Sequence, residues 1–135
     1  MGTAKGTFVK ILVTGGNGQL GLALHRQGGG RRLVGLPREV LDITNSAEVA
    51  EVFAREQPAV VINCAAWTDV DGCQSNPEKA LLVNGSAVGL LAQEASDAGA
   101  HLVQISTDYV FDGTKKEPYT ETDLPNPLSV YGKSK

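Results

Sequence analysis

Tyr131 and Lys135 stand four residues apart in Y-G-K-S-K, at the end of the 135-residue sequence, and on a helix that spacing puts both side chains on one face. Tyrosine with lysine at this spacing is common by itself, but the two groups have complementary chemistry. A carbonyl that accepts a hydride becomes an alkoxide and must collect a proton, which a phenol delivers near neutral pH only when its phenolate is stabilised. A cation ~4 Å away at an effective dielectric of ~20 contributes ~4 kcal/mol, enough to draw a phenol from about 10 toward neutrality. A second reactive group precedes them in Ser106-Thr107-Asp108-Tyr109. Thr107 is the candidate to hold a substrate carbonyl oxygen beside the phenol, and Asp108 the candidate to contact substrate; an Asx-type loop start is the plainer alternative for both.

A third constellation, Thr14-Gly15-Gly16-Asn17-Gly18-Gln19-Leu20-Gly21, places glycines at 15, 18 and 21. Between a strand and a helix, the first glycine allows a tight turn, the second lets a pyrophosphate approach the backbone, and the third lets the helix lie close on the strand. The helix N-terminus then offers free N–H groups to phosphates. This is the pattern of a dinucleotide site. Asp42 can accept from the adenine amino group while Ile43 packs on the ring, with a simple turn aspartate as the alternative. An NAD-selective fold usually carries an acidic residue after the second strand, whereas Leu36-Pro37-Arg38 offers a cation; the expectation is NADPH, with Arg38 either reaching the 2′-phosphate or solvated on a loop. Asn63-Cys64-Ala65-Ala66-Trp67 ends its strand in small residues that would let a cofactor lie across it.

Elements of the right kind flank these groups. Residues 8–13 read as a buried strand, 18–27 as a helix stopped by Gly28-Gly29-Gly30, and 33–36 as a second strand. Ser46 is the predicted N-cap of a helix that Pro58 ends, and 59–65 is the third strand. Residues 68–76 read as a polar segment. Pro77 sits at the first turn of a helix to about Ala98, with Leu81, Leu82, Val88, Leu91 and Ala95 available for one face. Residues 101–106 form a fourth strand, 107–127 an irregular loop, and Ser129 begins a last helix. Alternating strands and helices predict an α/β fold, a doubly wound parallel Rossmann sheet, over residues 8–135, with residues 1–7 as a leader.

Composition narrows the partners. A formal charge of −3 and a pI near 5.3 argue against nucleic acid, with Arg31-Arg32 and Lys115-Lys116 the only doubled cations. With 41% hydrophobic and 20% charged residues and no apolar run near ~20 residues, the sequence reads as soluble and cytoplasmic, without a membrane partner. Cys64 and Cys73 lack metal-ligand spacing and are expected to be reduced; no metal site is assigned.

Taken in order, the glycine turn, N-C-A-A, S-T-D-Y-V-F-D-G, P-Y-T-E-T-D and P-L-S-V-Y-G-K-S-K resemble the dTDP-4-dehydrorhamnose reductase family of extended short-chain dehydrogenases, from about Val9 to Lys135. The resemblance implies Thr107, Tyr131 and Lys135 as the catalytic set and cofactor contacts from Gly15, Gly18, Gln19, Leu20, Asp42, Ile43, Ala65, Ala66 and Trp67, with Tyr131 and Lys135 against the cofactor as well. It further implies NADPH or NADH as hydride donor, a nucleotide-sugar substrate, dTDP-L-rhamnose as product, magnesium in some members, and room for a homodimer. Pro37 stands where members often carry an acidic residue, and Gln74 replaces a frequent glutamate. Members continue for roughly another domain, so the C-terminal substrate domain is expected to be absent here, and the 135-residue chain alone is expected to be a poor reductase. Other implied readings are a regulatory subunit resembling that of methionine adenosyltransferase and a nucleotide-sugar epimerase or dehydratase.

Overall fold

The computed structural model describes residues 9–28 and 32–135. The expected leader, Phe8 at the head of the first strand, the helix stop at Gly29 and Gly30, and Arg31 lie outside the described residues. Four parallel strands form one sheet: β1 (Lys10–Thr14), β2 (Arg32–Leu36), β3 (Val60–Asn63) and β4 (His101–Gln104), in the order β2-β1-β3-β4. Helix α1 (Gln19–Gln27) connects β1 to β2, and α2 (Ser46–Glu56) connects β2 to β3. The connection from β3 to β4 holds α3 (Val70–Ser75), α4 (Pro77–Leu81), a π turn (Leu82–Ser86) and α5 (Ala87–Asp97). A 3-10 turn (Asp108–Val110) follows β4, and α6 (Val130–Ser134) comes last. The parallel α/β sheet with helical crossovers is the one expected.

The apolar strands dictate where the core lies. Leu12 and Val61, both fully buried, face Val49, Val52 and Phe53 of α2 and Ala87, Leu91 and Ala95 of α5, with Leu41 and Ile43 closing the cluster. Each of the larger side chains there stabilises the fold by roughly 1.5–3 kcal/mol through removal from water.

Several local expectations are corrected. Asn45, not Ser46, caps α2: its side-chain oxygen accepts from the N–H groups of Ala47 and Glu48, while Glu48 accepts in return from the Asn45 amide at 2.9 Å. The polar segment after β3 contains α3, capped by Asp69, whose carboxylate accepts from Gly72 N–H at 2.9 Å. The long helix is broken by the π turn, and Leu81 and Leu82 are half exposed. Leu91 and Ala95 face inward as expected, and Ala80, Asn84 and Ala87 complete that face in place of Leu81 and Leu82, their small size letting the helix approach closely. Among the described residues no helix is long and apolar enough to cross a membrane.

Candidate functional site

The carboxyl ends of β1 and β3 lie side by side where the strand order reverses, the place where open α/β sheets bind ligands. The turn after β1 is shaped by missing side chains. Gly15 has φ 62°, in the left-handed region, and a Cβ there would come within 2.9 Å of the Ala65 nitrogen. At Gly21 a Cβ would come within 2.6 Å of the Gly15 carbonyl oxygen, so α1 lies directly on the turn. Gly18 differs: its Cβ would meet only the Gly15 carbonyl oxygen, at 3.3 Å, so protein does not fill the space before it. Gly18 is also the N-cap of α1, with no side-chain cap and no acidic residue in the first turn, which leaves the leading N–H groups for an anion. A dinucleotide pyrophosphate fits this cradle.

Gly15, Gly18, Arg38, Asp42, Ile43, Ala65, Ala66 and Trp67, all expected at the cofactor, line a single crevice. Gln19 and Leu20 do not; both are exposed on the first turn of α1. Arg38 lies 3.6 Å from the Asp42 carboxylate. Asp42 also accepts from the Thr44 hydroxyl and N–H, and these hydrogen bonds, with the Arg38 charge, hold its carboxyl below the usual range. Asn17, Thr44, Cys64, Lys79 and Val83 line the crevice without having been singled out, and the Lys79 ammonium sits 4.0 Å from the centroid of the Trp67 ring. Gly16 was also missed: its Cβ would come within 2.6 Å of the Gly35 carbonyl carbon, and its N–H donates to Leu36 O at 2.9 Å. The glycine inside the apolar second strand was the available signal.

Tyr131 is 7% exposed and shares a buried cluster with Cys73 and Ala80; Trp67, which lines the crevice, packs against that cluster. Its ring meets that of Tyr109 edge to face at 5.5 Å. Among the described residues the Tyr131 hydroxyl has no hydrogen-bond partner, and no buried side-chain oxygen is left unpartnered, so that hydroxyl reaches open space. Lys135 directs its ammonium to the Ile105 carbonyl at 2.9 Å, and burial pushes its pKa down. Thr107 and Asp108 stand at the same carboxyl edge, after β4, with their first hydrogen bonds local: the Thr107 hydroxyl donates to Asp108 at 3.1 Å and accepts from Tyr109 N–H at 3.3 Å.

Asn84 organises this half of the site, and nothing in its sequence context marked it. It sits in the π turn, 3% exposed, accepts from Trp67 N–H at 2.8 Å, and donates to both Trp67 O and the Ser134 hydroxyl at 3.0 Å. Ser134 in turn donates to the Tyr131 carbonyl at 2.7 Å. The Gln74 amide oxygen accepts from Val130 N–H at 3.2 Å, a second tie on α6. Asn84→Leu removes the partner of Trp67 N–H and leaves Trp67 O with the Cys73 thiol alone, and is expected to cost about 1–3 kcal/mol in urea unfolding; an unchanged midpoint and slope would contradict this account.

Both cysteines are free, and the Cys73 thiol donates to Trp67 O at 3.6 Å. Among the described residues no three His, Cys, Asp or Glu side chains are placed to hold a metal ion.

Residues 9–135 match the family described as RmlD substrate binding domain. The chain belongs to that family. It is 45% identical to a dTDP-4-dehydrorhamnose reductase of Burkholderia thailandensis over 131 residues, which cover 94% of this chain and 43% of that protein. The crystal structure of a dTDP-4-dehydrorhamnose reductase from Clostridium acetobutylicum superposes with a TM-score of 0.89 at 48% identity, over 93% of this chain and 45% of that one. The Bacillus anthracis dTDP-4-dehydrorhamnose reductase in complex with NADP superposes with a TM-score of 0.92 at 34% identity, over 97% of this chain and 48% of that one. The chain spans less than half the length of these relatives.

Proposed function

We propose that this chain is the cofactor-binding and proton-delivering part of a reductase that acts on the 4-keto group of a nucleotide-linked deoxysugar, converting dTDP-4-dehydro-L-rhamnose to dTDP-L-rhamnose. The observation that carries the reading is Trp67: it lines the glycine crevice and packs against the buried cluster of Cys73, Ala80 and Tyr131, so the acid-base candidate belongs to the cluster next to the dinucleotide cradle. The Bacillus anthracis relative is in complex with NADP, and its name and that of the Burkholderia thailandensis relative, both dTDP-4-dehydrorhamnose reductases, support reduction as the direction.

Gly15 and Gly18 let the backbone approach a pyrophosphate, which the free N–H groups of α1 receive. Ile43 and Asp42 receive the adenine, and Ala65 and Ala66 leave room for the rest of the dinucleotide. When bound, the reduced nicotinamide supplies a hydride. At the substrate the carbonyl π pair moves onto oxygen, and the Tyr131 hydroxyl gives that oxygen its proton. Lys135, charged and held by the Ile105 carbonyl, stabilises the phenolate left behind. Thr107 polarises the carbonyl once its hydroxyl turns from Asp108, and Asp108 contacts the sugar.

The test is NADPH consumption by the full-length protein across a panel of nucleotide keto-sugars, with the dTDP-4-keto-deoxysugar expected to be the best substrate. Tightly held NAD that persists through turnover would favour an epimerase or dehydratase instead. Coenzyme choice gives a separate prediction. The protein is expected to bind NADPH more tightly than NADH, and Arg38→Ala to narrow that preference by about twofold to fivefold, as suits a largely exposed cation. Dissociation constants for the two coenzymes measure it, and a clear preference for NADH counts against the role of Arg38.

A further inference from the structure

A row of polar side chains crosses the sheet just beneath the crevice. Thr14, Asn63 and Gln104 are register partners on β1, β3 and β4, so their side chains share one face. The row below, Leu12, Val61 and Leu102, is apolar and faces α2 and α5. Thr14 is fully buried and Asn63 is 1% exposed, which makes a chance polar row costly.

Every group in the row is matched. The Thr14 hydroxyl donates to the Asn63 amide oxygen, the Asn63 amide nitrogen donates to the Gln104 amide oxygen at 2.7 Å, and the Gln104 amide nitrogen donates to the Ile105 carbonyl at 2.9 Å. The same carbonyl is the seat of the Lys135 ammonium. At the other end, Ala65 N–H is shared between the Thr14 hydroxyl at 3.3 Å and the Asn63 amide oxygen at 3.2 Å, and Ala65 is the residue that the Cβ-free face of Gly15 approaches.

We propose that Thr14, Asn63 and Gln104 form a positioning ladder that fixes the Ile105 carbonyl as the anchor of Lys135 and holds that anchor in register with the glycine turn. The directions of the hydrogen bonds make this a matter of placement. Amide N–H groups, not oxygens, point toward Ile105, so the ladder does not stabilise the cation electrostatically. It sets the orientation of the peptide on which the cation rests. Two lone pairs on one carbonyl oxygen take two donors, one from Gln104 and one from Lys135. Without the Gln104 donor the peptide is free to tilt, and the ammonium moves with it. Reacting groups tolerate little displacement: a shift of about 1 Å costs about a hundredfold in rate.

The inference rests on the reductase reading for its kinetic arm, and a second arm is independent of it. In the full-length protein, Gln104→Leu is expected to lower kcat about a hundredfold while the NADPH dissociation constant stays within about twofold. Thr14→Val, nearly isosteric, is expected to lower kcat about tenfold, and Thr14→Ser, which keeps the hydroxyl, to restore it. Without coenzyme, the Lys135 ammonium is expected to give a slowly exchanging nitrogen signal in NMR that is lost in Gln104→Leu. Should Gln104→Leu fail to fold, Thr14→Val and Thr14→Ser carry the same test. A retained ammonium signal together with unchanged kcat in Gln104→Leu or Thr14→Val overturns the ladder. If Lys135→Met leaves turnover intact, the reductase reading falls, and the ammonium signal alone decides the ladder.

Discussion

Tyr131→Phe is expected to lower kcat of the full-length protein about a thousandfold while the NADPH dissociation constant stays within about twofold. The substitution removes one oxygen and nothing else. The ring keeps its edge-to-face contact with Tyr109 and its packing on Cys73 and Ala80, so the fold has no reason to change. The hydroxyl it removes has no hydrogen-bond partner among the described residues, so no protein group is left unsatisfied. What is lost is the proton for the new alkoxide, a step worth roughly 10²–10⁴-fold when a positioned side chain performs it. Steady-state turnover with NADPH and the dTDP-4-keto-sugar measures the effect. A Tyr131→Phe enzyme with turnover near the parent would remove Tyr131 from the chemistry and leave the crevice as a binding site only.

The parts of this molecule that followed from sequence are those set by local pattern. Apolar strands alternate with helices, so the parallel sheet was legible, and the glycines at 15, 18 and 21 carried enough geometry to locate the crevice. Ser129 capped the last helix as expected because an N-cap depends on a side chain two or three residues away, as in its bond to Gly132 N–H. Ser46 failed for a related reason: a second good cap, Asn45, stood one residue earlier and had Glu48 to complete a reciprocal pair.

What stayed hidden depends on residues far apart in the chain. Asn84 reads as one polar residue in an apolar helix, and only the fold brings it to Trp67 and Ser134. Of the face expected for the long helix, Leu91 and Ala95 are buried, whereas close approach selects Ala80 and Ala87 and leaves Leu81 and Leu82 half exposed. Thr14, Asn63 and Gln104 are unremarkable singly and meaningful only in register. Gln19 and Leu20, named through family resemblance, lie outside the crevice lining and have exposed side chains; what they offer a phosphate is the backbone N–H of the first turn of α1.

Gly132→Ala should be the most damaging conservative change in α6. Gly132 lies between Tyr131 and Lys135 and is buried, and the carbonyl oxygen of Tyr109 occupies the position a Cβ would need. The Pro127 side chain, 3.0 Å from that position, closes the other side. The obstacle at Tyr109 is backbone, so no side-chain rotation relieves it; either the 3-10 turn or α6 must shift. The 3-10 turn carries Asp108 and follows Thr107, while α6 carries Tyr131, so either movement separates groups that must meet at one carbonyl. Overpacking of this kind costs about 1–3 kcal/mol of stability, and a displacement of about 1 Å costs about a hundredfold in kcat. None of Tyr109, Pro127 and Gly132 lines the crevice, so NADPH binding should change by no more than about twofold. Thermal unfolding, turnover and coenzyme titration of Gly132→Ala separate these effects. Loss of coenzyme binding in step with turnover would show that α6 supports the crevice as a whole, and parent-like stability and turnover would show that the Tyr109 carbonyl can yield without moving the reactive groups.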